Sequence, residues 1–445
     1  MRLTLITLLL CTGVLAAAPG WARSAADATP ASVREERPLR IEPGLEARRR
    51  RFAAHPVQKA AMVPVRLIEL PFVIVNYPFE HWFVRKKPIL PLVVTQGVLA
   101  NLAARGLTIH AGGLGTGSGS GGGLAYRLPP SVTGPVNLRV FGGATHAGYE
   151  QYFAQLDSLD LGRLRLRARV QFFDQPEEDL FGIGLTSRKE DRATYELETT
   201  SGMVEGLTRL TSRWQLGLRL AFTRTDVGRG EDEEFLIAQD VFPGIAGLRG
   251  RYDFLKSAAS LAWDGRDNPA YARRGTYARV RVDLADGVRD TDIAYTKYAL
   301  ELQQFLPLPG VRRTLAMRLY GVVTDNRSSG DLEIPVFRLE RLGGSTTMRG
   351  LQDFRFTDKD LLVGNIEYRF PFWFIEHESG IAIDALAFFD FGTVMPNLED
   401  VQQRDLRSSV GFGFRVVTHR SMLFRLDVGW TSGDSRLDLG IRGPI

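Results

Sequence analysis

The chain has 445 residues, enough for two or three soluble domains or for one large β-barrel. Glycine is abundant with 46 residues, aromatic residues make up 10% and charged residues 24%, a mixture that fits strands with one apolar and one polar face. The formal net charge is +5, but basic residues are scattered among acidic ones, which argues against a nucleic-acid-binding protein.

The first residues have the features of a secretory signal peptide. A positive start precedes an apolar core over Leu3–Ala16, which predicts a signal peptide over residues 1–22 with cleavage after Ala18 or Ala22. Cys11, the only cysteine, lies inside that core and is not expected to carry a lipid, because no small residue precedes it. We therefore expect an exported mature chain without disulfides or thiol chemistry.

Two further segments precede the regular part of the chain. Residues 23–65 are rich in Arg, Glu, Ala and Pro and are interpreted as a flexible charged linker. Residues 66–106 are more apolar and are predicted to form a short amphipathic segment with a helix that ends at Gly106. This segment could lie beneath the barrel, plug it, or be a minor packing helix. Its charges and prolines argue against a transmembrane helix.

From residue 107 onward the apolar residues recur with a period of two, which is typical of strands. In "RLRLRARV" arginines alternate with apolar residues, and they are Arg163, Arg165, Arg167 and Arg169. We interpret them as a basic ladder that coats a lumen, either as a solvated structural face or as a guide for anionic solutes or lipids.

The pattern predicts an all-β fold, a sixteen-stranded antiparallel transmembrane β-barrel over residues 107–445. The predicted strands are 107–113, 121–128, 136–144, 149–158, 163–174, 191–209, 213–226, 252–264, 274–286, 292–306, 312–326, 360–372, 380–393, 407–417, 422–431 and 436–441. The long connections, at 175–190, 227–251, 327–359 and 394–406, all fall on one side. Short inner turns opposite long outer loops are typical of outer-membrane barrels.

The loop between the eleventh and twelfth strands contains "RLGGSTTMRGLQDF", which has no strand or helix period. Its paired Gly343 and Gly344 permit a tight turn, and so long a loop is usually functional or disordered. If Tyr368 and its apolar neighbours face lipid, then Glu367 and, on the next strand, Asp390 face the lumen. Two lumenal carboxylates would suit an arginine carried inward by the loop. Alternatively, they only line a wet lumen.

Four motifs together resemble the BamA/TamA superfamily of outer-membrane assembly and translocation barrels, also called bacterial surface antigens. They are "WDGRDNPAYARRGTYARV", "RLGGSTTMRG", "LLVGNIEYRFPF" and "LAFFDFGTV". The resemblance implies that the sixth outer loop enters the lumen with Arg349 and Gly350 as its motif and Glu367 and Asp390 as partners. It also implies an inner turn before strand nine, shaped by four residues. They are Asp267, Asn268, Pro269 and Gly275.

The chain departs from the family pattern in several places. Met348 and Leu351 replace the usual branched and aromatic neighbours of the Arg-Gly pair, and the C-terminal Ile445 replaces an aromatic residue. Residues 23–106 are too polar and proline-rich to form the periplasmic POTRA domains common in this family. We therefore expect substrate capture by such domains to be absent.

The remaining motifs indicate no covalent chemistry. The glycine-rich stretch at 112–123 lacks the ending of a phosphate loop and instead predicts a flexible first hairpin. The six histidines lack metal spacing, so no metal, cofactor or enzymatic activity is expected. The leading hypothesis is a barrel that inserts or translocates proteins or lipids through a weak seam between its first and last strands. Its partners would be outer-membrane lipids and client proteins. The alternative is a passive pore or structural barrel.

Overall fold

The computed structural model describes most of the chain from residue 104 onward. The described residues are 68–69, 102, 104–115, 117–129, 136–231, 235–310, 312–329, 332–374, 382–400, 402, 405–417 and 422–440. The predicted signal peptide at 1–22 and linker at 23–65 lie outside these residues, as does most of the segment at 66–106.

Sixteen strands of five to seventeen residues form the wall of the structure, as predicted. They are β1 (Leu107–Ala111), β2 (Gly121–Arg127), β3 (Asn137–Thr145), β4 (Glu150–Leu161), β5 (Leu164–Leu180), β6 (Ala193–Arg209), β7 (Trp214–Arg229), β8 (Gly250–Asp264), β9 (Gly275–Gly287), β10 (Ala294–Pro307), β11 (Thr314–Asn326), β12 (Asp360–Phe374), β13 (Ala382–Met395), β14 (Arg407–Val417), β15 (Met422–Thr431) and β16 (Asp434–Gly440). Each pairs antiparallel with the next in the chain, from β1 through β16.

The two faces of the sheet differ as a barrel in a membrane requires. Val170, Val204 and Leu220 are 60%, 53% and 63% exposed on neighbouring strands, so the outward face carries apolar side chains. The residues that alternate with these along each strand point inward, where charged side chains pair with one another. This alternation confirms the predicted period-two pattern, because successive side chains of a strand point to opposite faces.

The ends of the barrel also differ. Long connections join β5 to β6, β7 to β8, β11 to β12 and β13 to β14, and we call this side the long-loop end. The opposite side, with connections such as the two residues between β4 and β5, is the short-turn end.

Within the described residues, no helix is long and apolar enough to cross a membrane. The longest α-helix there is α1 (Ala238–Val241), in the loop between β7 and β8.

Three details correct the expectations. The predicted loop at 175–190 starts later, because β5 continues to Leu180 through a register shift between Gln175 and Glu178 that accommodates Pro176. Arg163 lies in the turn before β5 rather than on the strand. The segment expected to lack strands contains a small antiparallel pair, Glu340–Leu342 with Phe356–Asp358.

A further correction concerns Tyr368, which was expected to face lipid but is only 8% exposed. Its hydroxyl donates to Glu69 Oε1 at 2.6 Å, and the same carboxylate accepts two bonds from Arg313, at 2.6 and 2.9 Å. Tyr368 lies on the opposite face of β12 from Glu367. Glu69 therefore makes this contact on the outer wall and not in the lumen.

Candidate functional site

The loop between β11 and β12 crosses the lumen at the long-loop end. Ile334 packs against Phe254 and Tyr295 on the inner wall of β8 and β10, and Val336 packs in a cluster with Tyr195 of β6. Further along, the loop joins an apolar cluster with inward side chains of β10 to β13. The members of that cluster are Ala299, Val322, Leu342, Met348, Leu351, Phe356, Leu361, Val363 and Val394.

Ion pairs fix the loop to two separate parts of the wall. Arg341 donates to Glu178 Oε2 at 2.5 Å and to the Tyr195 hydroxyl at 2.6 Å. About a dozen residues later, Asp353 accepts a 2.6 Å bond from Arg436 of β16. Together with the apolar cluster on β10 to β13, these contacts with β5 and β16 hold the loop across the lumen as a plug.

Glycines give the loop its sharp turn. Gly343 and Gly344 have φ of +128° and +86°, a region that side chains with a Cβ rarely occupy. A Cβ on Gly343 would lie 2.0 Å from the carbonyl oxygen of Gln352, so the chain can fold back here only with glycine. The Thr347 hydroxyl closes the turn by accepting from Gly343 N and donating to Gly343 O, both at 3.0 Å.

This turn places Arg349 between Glu367 and Asp390. Its Nε and Nη2 donate to the two oxygens of Asp390 at 2.8 and 2.7 Å, and its Nη1 donates to Glu367 Oε1 at 2.5 Å. Its backbone N–H donates to Asp390 as well, at 3.0 Å. The guanidinium stacks 3.7 Å from the Phe388 ring centroid, and the side chain has no exposed surface. Burial opposes the charge, but the two carboxylates outweigh it and raise the pKa of Arg349 above its ordinary value.

Three residues outside the predicted motif complete the network. Asp427 of β15 accepts from Arg415 at 2.6 and 3.0 Å and from Arg425 at 2.9 Å, and it lies 3.9 Å from Arg349. All of these side chains are buried. Arg425 and Asp427 stand two apart in "FRLDV", so the alternation that identified Glu367 could have identified them.

The apolar cluster under the loop contains both neighbours of the Arg-Gly pair that depart from the family pattern. Met348 and Leu351 are 0% and 5% exposed within the apolar cluster under the loop. Gly350 has φ of +86°, and a Cβ there would lie 2.7 Å from the backbone carbon of Gly429 in β15. The loop and the strand therefore touch backbone to backbone at this point.

The predicted turn residues organise the connection between β8 and β9. Asp267 Oδ1 accepts backbone N–H bonds from Asn268, Arg273 and Arg274 at 2.9, 3.0 and 3.3 Å. Asn268 Oδ1 accepts from Ala270 N at 2.9 Å, and the exposed Pro269 lies between them. Gly275 has φ of +105°, and a Cβ there would lie 2.3 Å from Gly265 O.

The basic ladder faces inward on β5 but is largely paired. Arg165 donates to Asp160 at 2.6 Å, and Arg167 lies 3.7 Å from Glu205. Arg169 stacks 3.9 Å from the Phe153 ring centroid. Arg163 is exposed in the preceding turn and does not join them. Two of the four arginines thus have an acidic partner and a third has an aromatic one.

Comparison with known proteins identifies the family. Residues 115–439 match the Omp85 superfamily domain, whereas no curated protein matches the chain. The chain is similar in structure to BamA from Haemophilus ducreyi lacking POTRA domains 1–3, with a TM-score of 0.54, 13% identity, and coverage of 76% of this chain and 70% of that one.

Two further solved structures align less closely. CdiB from Escherichia coli aligns with a TM-score of 0.48 and 12% identity, covering 75% of this chain and 61% of that one. CdiB from Acinetobacter baumannii aligns with a TM-score of 0.45 and 10% identity, covering 73% and 54%. The family match spans most of the barrel, including the inward loop with its Arg-Gly pair. The chain belongs to the Omp85 superfamily and is a β-barrel of the Gram-negative outer membrane.

Proposed function

We propose that this barrel inserts or translocates proteins or lipids through a seam between β1 and β16, while the loop that carries Arg349 and Gly350 keeps the lumen closed. The observation that carries the proposal is the buried network between Arg349 and the wall, which uses four arginines and three carboxylates to hold a loop inside the barrel. A loop held in the lumen by such a network would obstruct a passive pore. The protein would act without a catalytic centre.

The strands beside the seam support a lateral route. β1 and β16, the two strands at the seam, have five and seven residues, whereas β10 and β11 pair over thirteen positions. On its other side β1 pairs with β2, which begins with Gly121, Gly122 and Gly123 and so adds little side-chain packing to hold β1 in place. Short, glycine-rich strands separate at lower cost than the long strands elsewhere in the wall.

Single-channel conductance in planar bilayers tests the plug. We expect the intact barrel to show low, unstable conductance. Deletion of residues 330–356 should raise it to a large, steady value, because residues 332–356 lie across the lumen. A deletion of residues 399–405, in the loop between β13 and β14, should change conductance little. Large, steady conductance from the intact protein would instead support the passive pore.

Cross-linking tests the seam. We expect a disulfide between a cysteine placed within 107–111 and another within 434–440 to stop insertion of an unfolded eight-stranded outer-membrane protein into liposomes, and reduction of the bond to restore it. Pairs should be scanned, since a disulfide requires Cα atoms about 4.4–6.8 Å apart. The control is a disulfide between β10 and β11, for example at the paired Leu302 and Leu319. Full insertion by a barrel with a locked seam would contradict the lateral route.

A further inference from the structure

The turn between β8 and β9, residues 265–274, is the second segment that folds into the lumen. Tyr271 is 8% exposed and packs against Ala382 and Val417 on the inner wall of β13 and β14. Ala272 is 3% exposed and packs against Phe305 and Ala316 on β10 and β11. The turn therefore reaches from one part of the wall to another at the short-turn end, opposite the loop.

A buried carboxylate joins this turn to the neighbouring connection between β10 and β11. Asp384 of β13 is 2% exposed and accepts from Arg273 at 3.3 Å and from Arg312 at 3.0 Å. Arg273 belongs to the turn, whereas Arg312 belongs to the connection between β10 and β11. A buried carboxylate that loses one of two cationic partners is less well compensated, so these contacts favour the inward position of the turn.

Arg369 of β12 connects the turn with the loop. Its Nη1 donates to the backbone oxygen of Ala272 at 3.2 Å, and its guanidinium lies 4.8 Å from the ring centroid of Tyr271. On its other side, Arg369 Nε donates to Glu367 Oε2 at 2.8 Å. The second oxygen of Glu367 accepts from Arg349 of the loop. One carboxylate and one guanidinium thus separate the two inward segments.

We infer that the turn at 265–274 is a second closure of the lumen and that Arg369 is the positioning residue that couples it to the loop. While the turn is inward, Ala272 and Tyr271 fix the guanidinium of Arg369, which in turn fixes the carboxylate of Glu367 in reach of Arg349. When the turn leaves, Arg369 loses its backbone acceptor and its ring contact, and Glu367 is held less firmly. In a buried network such changes are passed on to the neighbouring bonds.

The coupling gives the short-turn end a means of loosening the plug. Another polypeptide that displaces the turn from the inner side of the membrane would weaken the bond between Glu367 and Arg349 without contacting the loop. This inference goes beyond the proposed function and does not depend on it, because the coupling is a property of the folded barrel alone and is measured without any client.

Hydrogen exchange of the purified barrel, followed by mass spectrometry over residues 340–358, tests the coupling. Asp267→Ala removes three backbone hydrogen bonds of the turn. We expect it to accelerate exchange in the turn and also in the loop, the latter by about fivefold, a typical strength for coupling between residues in contact. In an Arg369→Ala background, Glu367 keeps its contacts with Arg349 and Arg415. There, Asp267→Ala should accelerate hydrogen exchange in the turn but not in the loop.

The matched control is Asp160→Ala, which removes another carboxylate at the short-turn end and should leave exchange of the loop unchanged. If Asp267→Ala does not fold, as judged by mobility of the unheated protein on gels, Tyr271→Ala tests the same link because it removes the ring contact and keeps the backbone bonds of the turn. Loop exchange that stays at the wild-type rate, or that accelerates equally without Arg369, would overturn the coupling.

Discussion

Replacing Arg349 with alanine is expected to destabilise the barrel strongly, because two buried carboxylates share this cation. The change leaves Asp390 without its bidentate partner and Glu367 with two arginines instead of three, all at sites without exposed surface. Removing one member of a buried ion pair costs about 3–5 kcal/mol. We expect a lower urea midpoint for unfolding, and a lower temperature at which the protein loses its compact mobility on gels.

Two variants separate the geometry of Arg349 from its charge. Arg349→Lys keeps the charge but loses the planar fork that spans both oxygens of Asp390, so it should recover only part of the stability. Arg165→Ala removes an arginine whose ion pair with Asp160 is largely exposed, and its effect should be much smaller. Equal effects of Arg349→Ala and Arg165→Ala would show that the buried network does not hold the loop.

Replacing Gly350 with alanine is expected to drive the loop out of its site. The residue has φ of +86°, and a Cβ would lie 2.7 Å from Gly429 C and 2.8 Å from Trp430 N, which are backbone atoms of a paired strand and cannot move aside. Backbone strain and overpacking together should cost more than about 3 kcal/mol, which the loop can relieve by leaving the wall. We expect the conductance of the intact barrel to rise towards that of the loop deletion.

Gly433→Ala is the matched control for Gly350→Ala. Gly433 has a similar φ of +94° in the turn between β15 and β16, but a Cβ there would meet nothing within 4 Å. It should therefore carry the conformational strain alone, of about 1–2 kcal/mol, and leave conductance low. A conductance rise that is as large for Gly433→Ala as for Gly350→Ala would assign the effect to strain and not to the contact between loop and wall.

The strand pattern of this protein follows directly from the sequence, and so does its division into outer and inner faces. Arg165, Arg167 and Arg169 alternate with apolar residues because a strand sends successive side chains to opposite faces. A membrane-spanning barrel needs apolar residues on one face only. The same alternation predicts that Glu367 and Asp390 point inward. The same alternation also places Arg415, Arg425 and Asp427 on the inward face. Alternation alone, however, does not indicate which inward side chains contact the loop.

The ends of the strands were less predictable. The sequence predicted a strand that ends at residue 174, yet β5 continues past Pro176 to Leu180 through a local shift of register. Tyr368 was expected to face lipid by alternation, yet Glu69, about 300 residues earlier in the chain, covers it. Both outcomes depend on neighbours that lie far away in sequence.

Residue type and short spacing are sufficient to define the strands, their two faces and the loop that is free to turn at Gly343 and Gly344. The entry of the turn at 265–274 into the lumen, and its link to the loop through Arg369, are visible only in the folded barrel. Periodicity assigns a side chain to a face, but it carries no information about which distant segments reach that face. That choice is made by packing and by the pairing of buried charges, which depend on the position of every strand at once.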